Sequence, residues 1–214
     1  MIKKYDSIFI KQPSAQKALE IKGLSVFKDA LFFDLEHYIY KKPICIGVFG
    51  CCFYDKDIEE LKVTQYMIEN KTDAKSILKM AEDYFINMWN NGKRYIVTFS
   101  GNNDFTVINY LFKKYKLDFD INEHFFHIDL QRQYEKEIHS SIGLKALEKE
   151  FGIVRESEVI SGSNLAKTFS KIVKDNDYIN RMPEKKKEKI LLYNEQDVVS
   201  LFDIYVNWKS VFKN

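Results

Sequence analysis

The stretch ALFFDLEHYIY, residues 30–40, constrains the fold more than any other part of the chain. Leu31, Phe32, Phe33, Leu35, Tyr38 and Ile39 predict a buried strand, yet Asp34 and Glu36 stand in its middle. Strand side chains alternate between faces, so positions 34 and 36 point the same way. Two carboxylates on one patch of an apolar sheet are each costly to desolvate, and they repel one another. The fold must therefore bring positive charge to that patch.

The neighbouring segments say what sort of sheet this is. ICIGVFGCCFY and LKVTQYMI read as two further strands, with a turn at Pro43 and a polar connection from Asp55 to Glu60. Connections this short favour an antiparallel meander. A helix follows, with Asp73 near its cap and Ile77, Met80, Ala81, Tyr84, Phe85 and Met88 at helical spacing, and it should end near Asn91-Gly92. RYIVTF is the next strand. The turn SGNN leads into a second helix with Val107, Ile108, Leu111 and Phe112 on one face and Lys113, Lys114 and Lys116 at its end. HFFHIDL reads as a strand, and everything beyond it as helical: a short helix in GLKALEKEFGI, one from Asn164 to Lys174, and a long one starting at Pro183. The expected architecture is α/β and RNase H-like, with a mixed central sheet of a three-strand antiparallel meander plus parallel strands, flanked by helices.

Composition excludes more than it selects. With 214 residues and 45% apolar content, a single domain over residues 1–214 is expected. The 33 basic and 31 acidic residues nearly cancel, which excludes a general polyanion-coating field and makes any phosphate binding local. The first residues lack the apolar core of a signal peptide, and no segment approaches about eighteen uninterrupted apolar residues, so a cytoplasmic protein with no membrane partner is expected. Cys45, Cys51 and Cys52 share one apolar stretch without metal-site spacing, and are expected to be buried packing residues.

Two more carboxylates stand out. The long last helix carries the stripe Ile190, Tyr193, Asp197, Leu201, Ile204, Trp208, in which an aspartate interrupts an apolar face. Asp104 lies where the strand RYIVTF has ended and a helix begins. There it can face a ligand at the carboxyl end of the sheet, or simply cap the helix. Asp34, Glu36, Asp104 and Asp197 form an oxygen-only set, which suits Mg²⁺ or Mn²⁺. Two such ions about 3.5 to 4 Å apart can serve an in-line phosphoryl displacement.

FFDLEH, TFSGNND, GLKALEKEFGI and YNEQDVVSL together resemble the DEDD superfamily of 3′-5′ exonucleases, most closely its bacterial YprB-like, RNase H-like branch, over about residues 31–206. The resemblance implies two divalent ions, Mg²⁺ or Mn²⁺, and single-stranded DNA or RNA cut from the 3′ end to nucleoside 5′-monophosphates. It makes Asp34 the ligand shared by both ions, Glu36 and Asp197 ligands of the first, and Asp104 the holder of the second. Tyr193 would position the attacking water. The tyrosine form is implied, because the position where the other form carries histidine is Leu192. The second motif departs from the family's N-x-x-F-D or N-G-x-x-F-D pattern, reading S-G-N-N-D-F, with Ser100 for Asn and Asn103 where Phe is expected, while Asp104 keeps one of the two spacings. A weakly active or inactive nucleic-acid-binding module and a hydrolase of very short oligonucleotides are the alternatives. Asp129, at the end of HFFHIDL, is weighed as a supporting residue.

Overall fold

The computed structural model describes residues 1–156 and 160–212. Strand β1 (Ile2–Phe9) precedes the acidic strand β2 (Ala30–Tyr40), and β3 (Lys42–Asp55) and β4 (Glu60–Met67) follow it. Helix α1 (Asp73–Asn90), strand β5 (Tyr95–Thr98), helix α2 (Asn102–Tyr115), the single turn α3 (Ile121–His124) and strand β6 (Phe126–Asp129) come next. The remaining described elements are helices: α4 (Leu130–Ile138), α5 (Leu144–Glu150), α6 (Gly162–Lys174), the single turn α7 (Tyr178–Arg181) and α8 (Glu184–Val211).

The six strands form one sheet in the order β1-β4-β3-β2-β5-β6. β2, β3 and β4 make the expected antiparallel meander, and β5 and β6 add to β2 in parallel. This is the mixed, helix-flanked α/β sheet of an RNase H-like fold. Two details differ from the sequence expectation. The segment IKKYDSIF was not expected to be a strand, yet it pairs along its whole length with β4 at the sheet edge. Lys4 and Asp6 share its half-buried side with Ile2 and Ile8, which erases the apolar alternation that would have marked it. The β2–β3 turn also sits at Lys41, in the left-handed conformation (φ 58°), while Pro43 is already paired in β3.

The alternation of β2 divides its side chains between two cores. Leu31, Phe33 and Leu35 face the core built with α1 and α2, where the Phe33 ring meets Phe85 at 5.5 Å and Phe105 at 6.1 Å. Ala30 and Phe32 face the core built with the C-terminal part of α8, with Phe32 against Phe202 at 5.3 Å and Tyr205 at 5.8 Å. Each fully buried phenylalanine contributes about 1.5–3 kcal/mol, so the register of β2 is strongly fixed. Asp34 and Glu36 continue the Phe32 side and are thereby aimed at α8. The register of β2 against β3 shifts between Glu36 and His37, beside the acidic pair, and again between Tyr38 and Ile39.

The three cysteines are free and buried, as expected. Burial pushes the thiols of Cys45 and Cys51 up to about 12, and Cys52 Sγ donates to the Val198 carbonyl at 3.3 Å, fastening β3 to α8. Among the described residues, no helix is long and apolar enough to cross a membrane.

Candidate metal centre

The site forms where the acidic side of β2 meets the middle of α8. The stripe read along α8 is buried throughout, with Asp197 only 5% exposed. Asp34, Glu36 and Asp197 each offer one carboxylate oxygen, and these three atoms lie within 4.8 Å of one another. Residues more than 160 positions apart in sequence are thus held together by strand alternation on one side and helical spacing on the other.

Asp34 is held by a buried polar relay absent from the sequence expectation. Asn194 Nδ2 donates to Asp34 Oδ2 at 2.9 Å, and Gln65 Nε2, on β4, donates to Asn194 Oδ1 at 2.8 Å and to the Leu191 carbonyl at 2.9 Å. Asn194 and Gln65 are both fully buried. The relay crosses β3 at Gly50, where any β-carbon would collide with Asn194 Oδ1. Gly50 faces Asp34 across the β2–β3 ladder and Gln65 across the β3–β4 ladder, so the glycine opens the gap through which α8 reaches β2. A glycine inside a strand is the sequence signal for such a close approach.

Asp104 stands apart from the three-carboxylate group. It is buried in the first turn of α2. The capping alternative does not apply, because the N-cap is Gly101 and no side chain caps this helix. Burial, then the charges of Asp34, Asp129 and Asp197, hold the Asp104 carboxyl well above the usual carboxylate range. It therefore shares the field of the cluster. The turn ahead of it is set by Ser100, in a left-handed conformation (φ 54°), whose N–H donates to Asp129 Oδ1 at 3.0 Å. The same oxygen accepts from the Gln131 and Arg132 backbone N–H groups at 3.0 and 3.4 Å, so Asp129 caps α4 and pins the entry to α2 together.

Tyr193, one turn before Asp197, is buried and lies against two cations, with Lys145 Nζ 4.7 Å and Arg155 Cζ 5.3 Å from its ring centre. Lys145 Nζ and Arg155 Nη2 both donate to Asp197 Oδ1. Arg155 is in turn gripped by buried Glu148, its Nε and Nη2 donating to the two carboxylate oxygens at 2.7 and 2.6 Å. Lys145, Glu148 and Arg155 come from or follow α5 and were not singled out in the sequence. A buried Glu within the apolar pattern of GLKALEKEFGI is the signal that was there.

The electrostatics show that the cations do not balance the acids. Burial, then Asp197, raises Asp34 from 3.8 to about 7, although Lys145, the Asn194 hydrogen bond and Arg155 pull it down. Burial, then Asp34, Asp197 and Asp104, raises Glu36 from 4.5 to about 10. The Tyr193 hydroxyl is pushed up by burial and then by Asp197, Glu36 and Asp34. A closely spaced, oxygen-only donor set that is short of positive charge fits one or more hard divalent cations. His37 takes no part: its Nε2 is buried without a hydrogen-bond partner among the described residues, and burial lowers its pKa.

A mixed sheet that carries acidic residues on its central strand, opposed by a late helix with a further aspartate, defines an RNase H-like protein. The chain belongs to the RNase H superfamily, whose family model matches residues 31–209. No curated protein matches the chain. Superfamily membership and the buried acidic cluster fit a nuclease module, and divalent metal ions are typical of that superfamily.

Proposed function

We propose that residues 1–214 act as one exonuclease-type domain of the DEDD kind, in its tyrosine form and YprB-like branch. It would remove nucleotides from the 3′ end of single-stranded DNA or RNA with two Mg²⁺ or Mn²⁺ ions. The observation that carries this reading is the convergence of Asp34, Glu36 and Asp197 within 4.8 Å, beside buried Asp104 and Tyr193, with Glu36 raised to about 10 by burial and then by the neighbouring carboxylates.

Asp34, Glu36 and Asp197 would hold the first ion, and Asp34 and Asp104 the second. Ions bound there would stabilise the attacking and leaving oxygens of an in-line displacement. The Tyr193 hydroxyl, kept protonated at neutral pH, would orient the attacking water through a hydrogen bond. The water oxygen bonds to phosphorus, the bond from phosphorus to the 3′ oxygen breaks, and a proton passes from the water to that oxygen. The product is a nucleoside 5′-monophosphate. Asn194 and Gln65 would keep Asp34 oriented, as supporting hydrogen bonds do for metal ligands.

The test is cleavage of 5′-labelled and 3′-labelled single strands of DNA and RNA with Mn²⁺, Mg²⁺ or EDTA, beside Asp34→Ala. Stepwise, metal-dependent loss from the 3′ end that vanishes in the variant is expected, and the rates name the preferred sugar. A metal-loaded, folded protein that cuts neither strand would rule the reading out. A second reading, a nucleic-acid-binding module of the same fold, draws on the position of Asp104 outside the three-carboxylate group. Turnover that disappears in Asp104→Ala would exclude it. Cleavage confined to two-nucleotide substrates would instead point to a hydrolase of very short oligonucleotides.

A further inference from the structure

Two cations crowd one oxygen at the candidate centre. Lys145 Nζ and Arg155 Nη2 donate to the same atom, Asp197 Oδ1. A carboxylate oxygen has two lone pairs, so this one is saturated by protein donors. Yet Asp197 is also one of the three residues whose oxygens come within 4.8 Å of one another. An ion held by that group must share Asp197 with, or take it from, a cation of the chain.

The two cations are not equally held. Arg155 makes two hydrogen bonds to Glu148, a carboxylate 2% exposed that depends on that pairing, and is fixed whether or not Asp197 is available. Its Nη1 is buried with no acceptor among the described residues. Lys145 is 4.0 Å from Glu148 Oε1, beyond hydrogen-bond reach, and Asp197 is its one hydrogen-bond acceptor among the described residues. Its side chain is 27% exposed, against 9% for Arg155, and it ends over the face of Tyr193. Lys145 also faces Asp34 and Glu36 closely enough to lower both their pKa values. A flexible ammonium held by one bond at the rim of the cluster is the partner a divalent ion would displace, both by competing for Asp197 and by like-charge repulsion.

We infer that Lys145 is an exchangeable counter-ion: it neutralises Asp197 in the metal-free protein, and once ions are bound it turns to a non-bridging oxygen of the substrate phosphate. It is thereby a phosphate-positioning residue, with the Arg155–Glu148 pair as the fixed support behind it. This rests on the metal-dependent nuclease reading above. It requires opposite effects on two ligands, which a merely structural lysine would not give.

The experiment measures equilibrium binding to the full chain by calorimetry, first of Mn²⁺ alone and then of deoxyadenosine 5′-monophosphate at saturating Mn²⁺. Wild type is compared with Lys145→Met and Lys145→Gln, whose circular dichroism must match it. Loss of the competing cation should tighten Mn²⁺ binding about threefold to fivefold, as a partly exposed ion pair allows. The monophosphate should bind about fivefold more weakly in both variants. Mn²⁺ binding that is unchanged or weaker, or monophosphate binding that is unchanged, overturns the role of Lys145 and leaves the nuclease reading standing. A wild-type protein that binds no Mn²⁺ overturns both.

Discussion

Asn194 shows how one residue links the sheet to the chemistry. It donates to Asp34, accepts from Gln65 and has no exposed surface, so its removal strips buried Asp34 of this donor and leaves Gln65 Nε2 with the Leu191 carbonyl alone. Asn194→Ala should cost about 1–3 kcal/mol in urea unfolding, the usual penalty for orphaned buried polar groups. It should also weaken Mn²⁺ binding by about tenfold or more, because supporting hydrogen bonds orient metal ligands. Gly50→Ala should reproduce the metal effect without removing a polar group, since its β-carbon would displace Asn194 Oδ1. Normal Mn²⁺ affinity in both variants would show that Asp34 holds its place unaided. The sequence displayed the acidic residues, because carboxylates in apolar strands and stripes are chemically out of place. It hid the relay, because Gln65 and Asn194 are neutral and look equally at home on a surface. Lys145 and Arg155 were hidden for a related reason: a lysine or arginine on a short helix or loop is usually solvated, and only the chain's return to α8 reveals what these two face.

At the level of elements, Asp129 ties a helix start to a loop that serves the site. Its carboxylate caps α4 and holds the Ser100 N–H, which sets the turn into α2 and so the position of Asp104. Asp129→Ala should lose about 1–2 kcal/mol, the range of a lost helix cap, and should impair the lower-affinity of two Mn²⁺ sites more than the higher. Asp129→Asn, which keeps an accepting oxygen, should restore most of the stability. Calorimetric titration of both variants with Mn²⁺ checks the point, and equal loss at both sites would contradict it. The meander, the two parallel strands and the main helices were legible because each carries its own periodicity. The edge strand β1 was not, since Lys4 and Asp6 occupy the side an apolar residue would have marked, and Lys4 Nζ pairs with Glu195 Oε2 of α8 at 2.5 Å. The hairpin turn was misplaced because a lysine in a left-handed conformation leaves no trace in the sequence, whereas Pro43 invites a turn assignment.

For the molecule as a whole, the acidic cluster makes stability depend on pH in a direction opposite to ordinary salt-bridged carboxylates. Asp34 and Glu36 are raised from 3.8 and 4.5 to about 7 and about 10, so across that interval the folded, metal-free protein keeps protons that the unfolded chain releases. Their contribution is complete below the unfolded values near 4 and is lost as pH rises through about 7 and then about 10. Asp203, raised by burial to about 6, adds to the same trend from outside the cluster. Urea unfolding in EDTA should therefore show falling stability between about pH 5 and about pH 9. Mn²⁺ should reverse the cluster's share, because an ion bound only by the folded state adds stability in proportion to its occupancy, and ionised carboxylates bind it more tightly. The Mn²⁺-induced gain should thus grow with pH in the wild type and persist in Asp203→Asn. In Asp34→Asn the gain should vanish, while the metal-free protein becomes more stable than wild type at neutral pH because one buried charge has been removed. Rising stability with pH in EDTA, or a Mn²⁺ gain that survives in Asp34→Asn, would mean that the carboxylates are balanced within the protein and that no ion is needed to complete the site.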